Sequence, residues 1–112
     1  MSTRGGARLW VAQRATAAVL AFCVLVHLVT IVYAVRAGLT ASQILDRTHG
    51  NYAWGAFYAV FVFAAAIHGA IGLRTVASEW LAFRGTVADA TMGLVAVAIL
   101  ALGVRAVAAV ML

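Results

Sequence analysis

Three apolar runs, each long enough to cross a bilayer, dominate the chain; they cover about residues 11–35, 52–76 and 86–112. A run of about 18 or more apolar residues marks a membrane span. The apolar part of the first, Ala15 to Val35, reaches about 30 Å at the helical rise. Proline is absent, so nothing breaks the runs from within. The expected fold is all-α: three transmembrane helices in an up-down-up bundle, forming a single transmembrane domain over 1–112.

Composition points the same way. Hydrophobic residues make up 66% of the chain and charged residues 10%, which excludes an ordinary soluble fold. Three short helices bury little core alone. A larger assembly is therefore expected, with faces of small residues packing against partner helices. The formal charge of +5 comes from eight arginines and three acids, with no lysine. The arginines sit at helix ends rather than in a patch, so they read as topology signals and not as a nucleic-acid surface. Three arginines in the N-terminal stretch (Arg4, Arg8, Arg14) and two around the second loop (Arg74, Arg84) outnumber Arg36, Arg47 and Arg105 on the other side. That bias places the N-terminus on the cytoplasmic side of the inner membrane. The first apolar run is too long for a cleavable signal peptide. Cys23, the single cysteine, lies inside the first span, where packing is its expected role.

Read in order, residues 1–9 form a basic tail, and Trp10, Gln13, Arg14 and Thr16 an amphipathic entry to the first helix. The connection 37–51 is polar, with one amphipathic turn expected over Ser42 to Arg47 and a breaker at Gly50-Asn51. Tyr52, Trp54, Phe57 and Tyr58 form an aromatic belt at the start of the second helix. Gly55 and Ala64-Ala65-Ala66 offer a close-packing face. Glu79 and Asp89 near Arg74 and Arg84 suggest an ion-pair network. Asp89 also suits the first turn of the third helix. Arg105 is expected to snorkel outward.

The chemistry lies in the histidines. His68 sits in Phe61-Val-Phe-Ala-Ala-Ala-Ile-His68-Gly69-Ala-Ile-Gly72-Leu73-Arg74. An intramembrane imidazole pairs, relays protons or binds a metal. Gly69 and Gly72 flatten the surface beside it for a helix or a planar cofactor, and Arg74 marks the interface. His27 is embedded in the first apolar run. Counted from Arg14, it lies about 20 Å from the inner surface; counted from Arg74, His68 lies about 9 Å from it. The two are then about 10 Å apart in depth, badly placed as the two axial ligands of one haem. If each binds haem there are two haems, each needing a second ligand from another chain or copy. The alternative for either ring is a hydrogen bond to a neighbouring carbonyl or hydroxyl. His49, beside Gly50, reads as a solvated loop residue. Gln13, Arg14 and Thr16 place donors where a quinone carbonyl can dock, or else act as an interfacial anchor.

Over about residues 10–84 the chain resembles the cytochrome b membrane-anchor subunits of succinate dehydrogenase and fumarate reductase. His68-Gly-Ala-Ile-Gly72-Leu73-Arg74 is similar to that family's His-x-x-x-Gly-Ile/Leu-Arg, whose histidine ligates haem b. Gln13-Arg14-Ala-Thr16 is similar to its His-Arg-x-Ser/Thr-Gly, whose arginine lies near the quinone pocket. The chain departs from the pattern at Trp10, Gln13 and Ala17. His27 matches the first-helix histidine of two-haem anchors, the ligand of their distal haem.

The resemblance implies a non-catalytic, multi-pass membrane anchor of a succinate:quinone oxidoreductase. His68 would ligate a proximal haem b and His27 a distal one, shared with a second anchor chain, with Gly69, Gly72 and Arg74 around the cofactor. Electrons would pass from the iron–sulfur subunit to quinone, with the flavoprotein subunit also tethered. The other class of reading is a haem-free structural subunit of a transporter or another respiratory complex.

Overall fold

The computed structural model describes residues 3–112; Met1 and Ser2, the first of the basic tail, lie outside the described residues. Helix α1 spans Thr3–Arg36, α2 Ala41–Thr48, α3 Tyr52–Trp80 and α4 Thr86–Met111. Three of the four are long and apolar enough to cross a membrane. They run up, down and up, and the bundle measures 49 × 24 × 22 Å.

The spans follow the apolar runs, but two helices outlast them. Helix α1 begins at Thr3, eight residues before the expected start at Val11, so the basic stretch with Arg4 and Arg8 is helical. Helix α3 continues past Arg74 to Trp80. Lipid solubility sets the apolar run, whereas the hydrogen-bonded ladder stops only where a residue breaks it. At the far end of α1 that residue is Gly38, at φ +64°, where Leu39 N–H reaches back to the carbonyl of Ala34 at 3.0 Å.

The amphipathic turn expected over Ser42–Arg47 is a complete capped helix. Thr40 Oγ1 accepts from Gln43 N–H, and Gln43 Oε1 accepts from Thr40 N–H at 2.8 Å. This is a capping box. Asn51 caps α3 through Trp54 N–H. The α2–α3 junction also closes the end of α4. Thr48 Oγ1 donates to Val110 O at 2.9 Å and Gly50 N–H to Met111 O at 3.0 Å, satisfying carbonyls that the helix leaves open. His49, expected as a solvated loop residue, is exposed and lies 3.0 Å through Nε2 from Leu112 O.

Helix α3 stands between the other two, packed on α1 along one side and on α4 along the other. Its α4 seam repeats every seven residues. Gly55 meets Met111, Val62 meets Gly103, and Gly69 meets Ile99. A Cβ on Gly103 would run into both methyls of Val62, one of them at 2.8 Å. The buried residues on all three spans are small: Cys23, Ala64, Ala66, Ala70, Ala77 and Ala88. Lipid gives helices no solvent-driven reason to associate, so close backbone approach through small residues supplies the contact.

Candidate functional site

The α1-facing seam of α3 carries both membrane histidine contacts. Tyr58, Phe61, His68 and Gly72 share that face. They meet, in turn, His27 (for both Tyr58 and Phe61), Thr16 and Gln13. His68 is half-buried, and its Nδ1 lies 3.3 Å from Thr16 Oγ1. Among the described residues its Nε2 makes no hydrogen bond. His27 Nδ1 lies 3.2 Å from the Tyr58 hydroxyl. Tyr58 and Phe61 hold the His27 ring edge-on, each with centroids 5.8 Å away. Trp54 and Phe57 extend this cluster, so the expected aromatic belt closes around His27, apart from Tyr52, which is exposed.

The pairing fixes the depths. Thr16 is level with His68, and His27 with Tyr58. The two histidines are therefore ten or eleven residues apart along the bundle, about 15 Å. The arginine count gives only about 10 Å because it takes Arg14 and Arg74 as level. In this register Arg74 is level with Trp10, a turn further out, and both line one groove.

That groove, about 730 Å³, lies over α3 between the outer helices, near the start of α1. Trp10, Gln13, Arg74, Thr75, Ser78 and Asp89 supply its polar and aromatic lining. Arg74 Nε donates to Asp89 Oδ1 at 2.8 Å. This is the one ion pair among the described residues, so the expected four-residue network reduces to it. Arg84 Nε instead donates to Ser78 O, and Glu79, five residues past Arg74, points about 140° around the helix from it.

The sequence grouped Gln13, Arg14 and Thr16, but the helix separates them. Gln13 turns into the groove, where its Oε1 is buried without a partner and its Nε2 faces Gly72. Arg14 is exposed, its guanidinium 5.3 Å from the Trp10 ring centroid. Thr16 faces α3 and His68. The two glycines beside His68 look at different neighbours, Gly69 at Ile99 and Gly72 at Gln13, and each would bring a Cβ to 3.3 Å. At the opposite end, His27 and Tyr58 line two adjoining apolar grooves of about 470 and 300 Å³ beside α2. From the sequence Tyr58 is only a belt residue and Asp89 only a charge at the start of the third helix, and Ser78 carries no signal. The pairing of α3 with both neighbours brings them to the sites.

Such a fold, with three membrane-length helices and two imidazoles seated between the first pair, defines a multi-pass membrane subunit that presents histidines inside the bundle. The chain belongs to the succinate dehydrogenase/fumarate reductase transmembrane subunit family, whose model matches residues 1–109. No curated protein and no solved structure matches it. The family sets aside the transporter and the unrelated respiratory complex as homes for the chain.

The resemblance of its motifs to those of cytochrome b anchors raises the question of whether these residues suit haem b. Among the described residues no three His, Cys, Asp or Glu side chains converge. A porphyrin supplies four ligands itself and asks a protein only for axial ones. His68 meets that demand, with one ring nitrogen held by a hydroxyl and the other without a partner among the described residues. Metal-ligating histidines are oriented in this way by a bond to the second nitrogen.

Proposed function

We propose that this chain is the haem b-binding membrane anchor of a succinate:quinone oxidoreductase, with its N-terminus on the cytoplasmic side of the inner membrane. The observation that carries the reading is the Nε2 of His68, without a partner among the described residues, beside an Nδ1 engaged by Thr16. His68 would be one axial ligand, and a second anchor chain would supply the other. Bound haem b supplies one-electron storage between the iron–sulfur subunit and quinone. The chain's own residues hold the ring, present the ligand nitrogen and tether the iron–sulfur and flavoprotein subunits.

His27 has the same pattern, Nδ1 engaged and Nε2 without a partner among the described residues, and we assign it to a distal haem. Its edge-on packing against Tyr58 and Phe61 favours a second reading, in which the hydrogen bond to Tyr58 is its whole role. The groove at the α1 start is the quinone site in this reading. The Gln13 amide and the Arg74 guanidinium offer donors for a quinone carbonyl, and the orphaned Gln13 Oε1 suits a quinol hydroxyl. Arg14 remains an outer anchor over Trp10.

The test is a reduced-minus-oxidised spectrum of the purified complex. His68→Ala is expected to remove a b-type band. A wild-type complex without that band leaves a haem-free structural anchor. His27→Ala is expected to lower the haem-to-protein ratio from two to one; an unchanged ratio returns His27 to the structural role.

A further inference from the structure

We propose that Thr16 is the positioning residue that locks His68 with its proton on Nδ1 and its lone pair on Nε2. This rests on the reading of His68 as a haem ligand and goes beyond it, because it assigns the choice of nitrogen to a residue on a different helix.

Thr16 Oγ1 has one proton to give. It lies 2.7 Å from Ala12 O and 3.2 Å from Gln13 O, and both of these are acceptors only. Hydroxyls inside helices bond back to the carbonyl one turn earlier in this way. With its proton turned toward its own helix, the oxygen meets His68 Nδ1 at 3.3 Å as an acceptor. An acceptor bonds Nδ1 only when Nδ1 carries the proton. A neutral imidazole protonated there has its remaining lone pair on Nε2. The backbone of α1 thereby dictates, through one hydroxyl, which nitrogen of α3 is free to ligate.

Two consequences follow for the loaded complex. Without the hydroxyl the ring loses its orientation and its tautomer, and loss of an outer partner of a ligating histidine costs about 10–100-fold in metal affinity. A hydrogen-bonded Nδ1–H also makes Nε2 a stronger donor, which favours the ferric state. Removing the bond raises the midpoint potential, by about 59 mV for each tenfold change in relative affinity for the two iron states.

The experiment uses the purified complex carrying Thr16→Val, Thr16→Ala or Thr16→Ser, with His68→Ala as the reference. Haem per complex is measured by absorption, and the component lost in His68→Ala is followed by redox titration. Thr16→Val keeps the side-chain shape, Thr16→Ala keeps helix propensity where valine disturbs assembly, and Thr16→Ser restores the hydroxyl. Expected are haem retention about tenfold weaker and a more positive potential in the first two, with wild-type behaviour in the third. If His68→Ala loses the band while the valine and alanine variants keep wild-type haem content and potential, the Thr16 role is overturned and His68 stands as a ligand. A wild-type complex with no b-type band overturns both. A serine variant that behaves like the alanine variant also overturns the Thr16 role, since the hydroxyl is then not what matters.

Discussion

At the scale of single residues, the sequence made the histidines legible because an imidazole in an apolar run has few reasons to be there. It did not make their partners legible. Tyr58 stands out only as one aromatic among several, and Thr16 only as an interfacial donor. The contacts His27–Tyr58 and Thr16–His68 span 31 and 52 residues, which no local pattern encodes. Residues 13, 14 and 16 look like one group in print. At 100° per residue they point into the groove, out over Trp10 and across to α3. Cys23 was legible as a packing residue and is 2% exposed. Its thiol is expected to resist maleimide in the folded complex and to react after denaturation in detergent. Cys23→Leu, which overfills the site, is expected to cost about 1–3 kcal/mol in a thermal or denaturant titration. For quinone, Gln13→Leu is expected to raise KM severalfold with haem content unchanged, since it removes a donor from the groove and leaves His68 alone.

At the scale of elements, the three spans were legible from apolar length alone, and their ends were not. Arginine at 4, 8 and 74 reads as an edge in a hydropathy profile, yet arginine is a good helix former and leaves the ladder intact. Asp89 also takes up the charge of Arg74, so α3 passes it without a break. Helix α2 did carry a written signal, Thr40 followed three residues later by Gln43, and this marks its start better than polarity does. Helix pairing makes a sharp contrast among the glycines. At Gly103 an added methyl meets the stiff, β-branched Val62, whereas at Gly55 it meets the flexible end of Met111. Gly103→Ala is therefore expected to destabilise the complex by about 1–3 kcal/mol, and Gly55→Ala by well under half of that. Thermal unfolding of the detergent-solubilised complex distinguishes them; equal shifts would mean that α3 and α4 are not in this register.

At the scale of the whole molecule, the up-down-up order was legible, but the row arrangement was not. Apolar runs state how many helices cross, not which of them touch. Helix α3 is the middle helix because it presents a seam to each neighbour, Gly55, Val62 and Gly69 toward α4 and Tyr58, Phe61, His68 and Gly72 toward α1. Orientation is expected from the arginine bias. In a cysteine-free background made by Cys23→Ala, a cysteine at position 82 is expected to label from the cytoplasmic side and one at position 42 from the outer side. The reverse pattern would invert the bundle and place the quinone groove on the wrong face for the iron–sulfur subunit.

The middle position of α3 also bears on how the chain enters the bilayer. Of the three spans it is the least apolar, and it is the one flanked by protein on two sides. Helix α1, the most apolar of the three, is the span best suited to wait in lipid until His27 meets Tyr58 of α3. Helix α3 is expected to be received by α1 as it emerges, and α4 then covers its second flank. Biogenesis is then expected to follow neighbourliness: the most apolar span comes first, and the middle one arrives with company already in place.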